Sequence, residues 1–204
     1  MKYKYVIWDW NGTLFDDVEI SVYTMNKMLE KTGYKNRIDL DLYKKIFTFP
    51  VSEYYQKAGF DFSKDKFEDL AKIYVEVYTS LQFTAKLNDE TLPILKLLKN
   101  RGCKQIIVSA CEKNRLLNQV EKFKVKDYFD AVLGIDDDLA VSKSSLAKKW
   151  FDDNKIDKNE VFLSEIPFTI MKFRKVFPAI AYLFPAAIRT EAFLKKQMRL
   201  FWTN

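Results

Sequence analysis

The chain has no histidine at all, and only two cysteines among its 204 residues. With no imidazole, and with Cys103 and Cys111 too few and too close to build a disulfide framework, a zinc site and a secreted disulfide scaffold both drop out. A reduced, cytoplasmic setting is the expectation. No apolar stretch of signal-peptide or transmembrane length follows Met1-Lys2-Tyr3-Lys4, so the sequence reads as a soluble one. Internal repeats and low-complexity tracts are also missing.

What remains is a chain that is 48% hydrophobic, enough for one α/β domain with a smaller insertion and a sizeable core. Its formal charge of +6 raises a nucleic-acid reading, and the location of that charge answers it. Residues 163–204 hold seven Lys and Arg against Glu165 and Glu191, a net of +5, so the first 162 residues sit near neutrality. Three of the five prolines, Pro167, Pro178 and Pro185, fall in the same tail. Neither a nucleic acid nor a membrane is therefore expected as partner of the organised part.

Tyr5, Val6, Ile7 and Trp8 form a nearly continuous β-forming run that ends in Asp9, the pattern of a strand buried on both faces of a parallel sheet. From Asp16 to about Lys31, Val18, Ile20, Val22, Met25, Met28 and Leu29 recur at helical spacing, with Gly33 as the stop. Further helical segments, interrupted at Phe49-Pro50 and Gly59, continue through Tyr78. Alternation resumes with a helix over Thr91 to Asn100, a buried strand over Lys104 to Ala110 and a helix over Glu112 to Phe123. A short strand and turn over Tyr128 to Asp136 follow, then a helix capped by Ser142 or Ser144 and running to Asp153, and a strand beginning at Glu160. Alternating strands and helices predict right-handed crossovers and a Rossmann-like parallel sheet flanked by helices, with ligands at the carboxyl ends of the strands. The expected layout is a core of 1–15 and 84–163, an all-helical cap of 16–83 inserted after the first strand, and a tail of 164–204.

Asp9 closes the first strand and is followed by Trp10, Asn11 and the permissive Gly12, so its carboxylate projects into the crevice beside turning backbone. Such a carboxylate can attack phosphorus while amides and a cation neutralise the phosphoryl oxygens. Taken alone, Asp9 is an acid in a polar turn, Ser109 an ordinary strand-end serine, and Lys143 a solvated helix-start lysine.

Together they resemble the haloacid dehalogenase-like hydrolase superfamily. "DWNGTLFDD", Asp9 to Asp17, is similar to that family's first motif, Asp-x-Asp-Gly-Thr. Ser109 in "IIVSA" resembles the second and Lys143 in "AVSKSSLAKKW" the third. The stretch Phe49 to Phe60 looks like the cap of the phosphoglycolate-phosphatase-like branch. The resemblance covers Met1 to about Phe162. It implies a phosphatase acting on a small phosphorylated metabolite with Asp9 as nucleophile and Ser109 and Lys143 holding the phosphoryl group. Gly12, Thr13 and Ala110 would line the substrate, and Mg2+ would be held by Asp9 and by the Asn11 backbone carbonyl.

The chain departs from the pattern twice. The family's acid two positions after the nucleophile protonates the leaving oxygen and activates water, whereas here Asn11 stands there. General acid–base help is worth about 10²- to 10⁴-fold, so its loss favours substrates with good leaving groups, such as acyl or aryl phosphates. The family's Gly-Asp-x-x-x-Asp after the strand is also replaced, by "SEIPFTIMKFRKVF", Ser164 to Phe177, in which Glu165 is the sole acid. One carboxylate beside Asp9 is a thin set for an ion that takes octahedral oxygen geometry.

The tail has a second reading at the level of codons. Ser164 to Lys172 encoded as TCG GAG ATA CCA TTC ACG ATT ATG AAG contains, in the alternative frame, Gly-Asp-Thr-Ile-His-Asp-Tyr-Glu, which is the missing motif. Pro185 to Glu191 can likewise yield Ser-Ser-Gly-His-Gln-Asn-Arg. A one-base deletion near the Leu163 codon accounts for both, and leaves the late strands missing or improvised, with an exposed sheet edge. Two other functions stay open: a phosphate-ester-binding protein without catalysis, and a membrane-surface or nucleic-acid binder acting through the basic tail.

Overall fold

A computed structural model describes residues 4–136, 143–164 and 181–183. The chain divides into two compact units, one of 1–15 with 87–204 and one of 16–86. The second therefore ends at Lys86, three residues beyond the sequence-based boundary.

The first unit is an α/β sheet. Strands β1 (Tyr5–Trp8), β4 (Lys104–Glu112), β5 (Ala131–Ile135), β6 (Val161–Ser164) and β7 (Ala181–Leu183) lie in the order β5-β4-β1-β6-β7, and all four neighbouring pairs are parallel. Helices α5 (Thr91–Asn100), α6 (Lys113–Lys122) and α7 (Lys143–Asp153) pack on it. Because successive side chains of a strand point to opposite faces, Ile7, Ile106 and Val108 meet Ala147, Phe151 and Val161 in one core cluster. Val6, Trp8, Gln105 and Ile107 point the other way, and all are buried. Helix α7 presents Ala147 and Phe151 to the sheet four residues apart, the spacing of one helical face. Each such fully buried aromatic or aliphatic side chain contributes about 1.5–3 kcal/mol.

One buried polar residue sits on the second face. The Gln105 side-chain amide accepts from Trp8 Nε1 at 3.0 Å and donates to the carbonyls of Leu95 at 2.9 Å and Tyr128 at 3.3 Å. With its partners made, its burial costs little, and it fastens β1, α5 and the segment before β5 to one point.

Element boundaries differ from the sequence reading: β6 begins at Val161 rather than Glu160, and α6 at Lys113 rather than Glu112. Strand β4 runs two residues past Ala110, and α7 begins at Lys143, so Ser144 lies inside the helix and does not cap it. Ser142, Glu165 and the residues of the proposed alternative frame lie outside the described residues, apart from Ser164 and 181–183. The sequence reading expects the late strands to be missing or improvised; among the described residues one short strand from within the tail, β7, pairs with β6, with Phe162 opposite Ala181. Among the described residues, the edge on that side is β7.

The second unit carries α1 (Val18–Lys31), α2 (Leu40–Ile46), α3 (Val51–Ala58) and α4 (Phe67–Leu81). Its core collects Met25, Met28 and Leu29 of α1 with Tyr54, Tyr55 and Ala58 of α3, Leu70 of α4, and Ile38 and Phe60. Asn26 braces the α1–α2 connection by exchanging two hydrogen bonds with the backbone of Ile38, at 2.8 and 2.9 Å. Asp39 caps α2 through the Leu42 amide. Two short strands, β2 (Phe15–Asp16) and β3 (Lys86–Leu87), pair where the chain passes from one unit to the other. Among the described residues no helix is long and apolar enough to cross a membrane.

Candidate active site

The register of β1 against β4 pairs Trp8 with Ile107, so Asp9 and Ser109 follow at the same carboxyl edge of adjacent strands. That edge is where open parallel sheets place ligands. Asp9 is buried; its Oδ1 accepts the Trp10 amide at 2.9 Å and lies 3.1 Å from Lys143 Nζ. Lys143 is not solvated. It starts α7 with its side chain 6% exposed, since the helix docks by Ala147 and Phe151 and carries its first residue under the edge.

The loop after Asp9 is a tight turn built on one carbonyl. Trp10 O accepts the amides of Thr13, Leu14 and Phe15 at 3.0 to 3.1 Å, and the Gly12 amide donates to Phe15 O at 2.8 Å. Closing it requires φ = +69° at Gly12, a conformation that glycine adopts without strain. The amides of Gly12 and Thr13 are thus engaged within the loop. Thr13 Oγ1 is buried and has no hydrogen-bond partner among the described residues. Trp10 anchors the turn through Nε1 to Gln119 Oε1 at 2.9 Å and by stacking on Phe15.

On β4, Ser109 donates from Oγ to Asn11 Oδ1 at 3.3 Å and accepts the Cys111 amide at 3.0 Å. The first motif and the second are therefore tied side chain to side chain. Between the pairs Val108–Leu133 and Glu112–Ile135, three residues of β4 face one residue of β5. The three are Ser109, Ala110 and Cys111, and the one is Gly134. A Cβ there would meet Lys113 Cα at 2.7 Å and Cys111 O at 2.8 Å, so the bulge that offers Ser109 and Ala110 to the edge depends on a missing side chain.

Sequence reading names Asp9, Asn11, Ser109 and Lys143, and the structure brings these four together. It does not point to Gln119, Gly134, Asn88 or Thr91. Gly134 has a signal, an isolated glycine in a strand, which marks a bulge or a close approach. The others are ordinary polar residues whose partners lie far away along the chain.

The arrangement offers a carboxylate, an ammonium and a hydroxyl converging from three elements, a setting for an anionic group and for attack by Asp9 on it. Among the described residues no group of three or more His, Cys, Asp or Glu could hold a metal ion. Asp9 and Asn11 supply oxygen donors of the kind Mg2+ takes, but too few for its shell without water or substrate.

Residues 6–165 match the model of a family described as haloacid dehalogenase-like hydrolase. No curated protein sequence matches the chain. Among solved structures, a candidate haloacid dehalogenase-like hydrolase from Bacteroides fragilis superposes with a TM-score of 0.78 at 21% identity, covering 96% of this chain and 93% of that one. A predicted phosphatase from Clostridium acetobutylicum gives 0.76 at 19% identity, covering 96% and 91%. A candidate phosphoglycolate phosphatase from Lactobacillus delbrueckii subsp. bulgaricus gives 0.71 at 17%, covering 96% and 92%. At these identities the likeness is one of fold.

Proposed function

Given that the chain belongs to the haloacid dehalogenase-like hydrolase family, we propose that it is built as a phosphatase for the phosphate monoester of a small metabolite, of the phosphoglycolate type. The observation that carries this is the buried Asp9–Lys143 pair at 3.1 Å with Ser109 tied to Asn11 beside it. An Asp9 carboxylate oxygen attacks phosphorus, the bond from phosphorus to the ester oxygen breaks, and water then cleaves the acyl phosphate to release inorganic phosphate. Lys143 offsets the negative charge that accumulates, and the Ser109 hydroxyl orients a phosphoryl oxygen. Mg2+ is the cation that the family resemblance implies.

Two features argue that the chain as written turns over weakly. Asn11 has no proton to give to a leaving group, and the family's late acidic motif is absent from the reading frame after Leu163. We hold the one-base deletion responsible for the second. Strand β6 pairs Trp8 with Ser164, so the chain leaves the sheet at the edge occupied by Asp9, which is where a frame carrying Gly-Asp-x-x-x-Asp would deliver its acids. Sequencing the coding DNA over codons 160–175 tests this: an extra base in the source makes the tail an error of record.

The activity test compares acetyl phosphate, p-nitrophenyl phosphate and an alkyl phosphate, with Mg2+ present, for the chain and its Asp9→Asn variant. Slow turnover confined to the first two and lost in the variant is the expected outcome. A normal Mg2+-dependent rate on the alkyl ester, lost in Asp9→Asn, would overturn the impairment. A second reading, phosphate-ester binding without hydrolysis, is favoured by the shortage of metal-holding groups among the described residues. Calorimetric binding of phosphate esters without added metal, and with no product formed, would support it.

A further inference from the structure

The loop that follows Asp9 is satisfied inwardly by the Trp10 carbonyl, yet it has two outward carbonyls, those of Thr13 and Leu14. Both are taken by one short segment. Asn88 Nδ2 donates to Thr13 O, the Asn88 amide donates to Leu14 O at 3.0 Å, and Thr91 Oγ1 donates to the same Leu14 O at 2.9 Å. Thr91 is 2% exposed, and its own amide donates to Asn88 O at 2.9 Å, so the two donors form a rigid pair at the start of α5.

We infer that Asn88 and Thr91 are positioning residues, a clamp on two consecutive carbonyls that fixes the Asp9 to Phe15 loop in the shape its chemistry needs. Three donors on two adjacent carbonyls leave the peptide planes at Thr13 and Leu14 no freedom to rotate. Those planes also carry the amides that close the turn on Trp10 O, and Asp9 is bonded to the Trp10 amide. Loosening the clamp therefore loosens the carboxylate, and misplacement of that kind is costly in a site that works by orientation. The side-chain hydrogen bonds of both residues go to loop carbonyls, so both act through the loop.

Only the second half of the test rests on the phosphoryl-binding reading. Amide hydrogen exchange is measured on the full chain for wild type, Asn88→Ala, Thr91→Val and Thr91→Ser. Losing one buried hydrogen bond speeds local opening about tenfold. The expected result is that acceleration at the amides of Thr13, Leu14 and Phe15 in Asn88→Ala and Thr91→Val, with Ile106 and Val108 unchanged and Thr91→Ser close to wild type. Calorimetry with inorganic phosphate should show weaker binding in Thr91→Val and recovery in Thr91→Ser. Unchanged loop exchange, or acceleration spread evenly through β1 and β4, would overturn the inference. If the loop opens as expected but wild type binds no phosphate, the clamp stands and the phosphatase reading falls.

Discussion

Lys143 Nζ lies 3.1 Å from Asp9 Oδ1, with the two side chains 6% and 9% exposed. A charge so deeply placed depends on its partner, because removing one member leaves the other buried and uncompensated. Lys143→Met and Asp9→Asn should each cost roughly 3–5 kcal/mol, and the double variant should recover part of that. Urea denaturation of the four proteins at one pH measures it; a Lys143→Met chain as stable as wild type would mean that the pair does not form in solution.

Gly134→Ala tests the bulge in β4. The added methyl has backbone atoms, not a flexible side-chain end, at 2.7 and 2.8 Å. Relief requires β4 to move, at a cost of about 1–3 kcal/mol. The same denaturation series, with phosphate affinity alongside, should show loss of both. Full retention of stability would place Cys111 and Lys113 elsewhere.

In the second unit, Tyr54 is 3% exposed and its hydroxyl has no hydrogen-bond partner among the described residues. Tyr54→Phe removes an unsatisfied polar group and should be neutral to stabilising by about 1 kcal/mol. The pH dependence has a sign. Burial first, then neighbouring Tyr74, Tyr43 and Tyr55, hold the phenol above its ordinary 10.0. The folded chain keeps the proton where the unfolded one loses it, so this contribution is intact below pH 10.0 and lost above it. Melting curves at pH 8 and about pH 11 should therefore separate wild type from Tyr54→Phe more widely at the higher value; an equal gap would contradict the burial.

The two thiols should differ in reactivity. Cys103 is 6% exposed, and burial raises its thiol above the usual range, outweighing the opposing charge of Arg101. Cys111 is half-buried. Iodoacetamide followed by mass spectrometry should find Cys111 alkylated first. Faster labelling of Cys103 would indicate local opening at the start of β4.

The elements that the sequence makes legible are those whose signal is local. The apolar run Tyr5 to Trp8 is a buried strand, and the periodic stretch Thr91 to Asn100 is a helix with those limits. Lys143 misleads in isolation, because a lysine among lysines reads as solvated and only the docking of α7 brings it under Asp9. The bulge masks the true end of β4, since three residues against one glycine, two more than regular pairing allows, break the two-residue alternation on which strand reading relies. Asn88 and Thr91 were out of reach for a plainer reason: their acceptors lie 75 and 77 positions upstream, and a polar side chain does not announce which carbonyl it will meet.

The paired strands β2 and β3 carry a consequence for the order of folding. Trp8 and Gln105 are 97 positions apart, so bonding them directly means closing a long loop. The unit of 16–86 has its own core, and its two ends run into the paired strands β2 and β3, so once they have formed the ends are already close. The remaining span between β1 and β4 is then a short one, which lowers the entropy of closure by about 1 kcal/mol. A chain interrupted in its middle thereby assembles its sheet as though the interruption were a single turn.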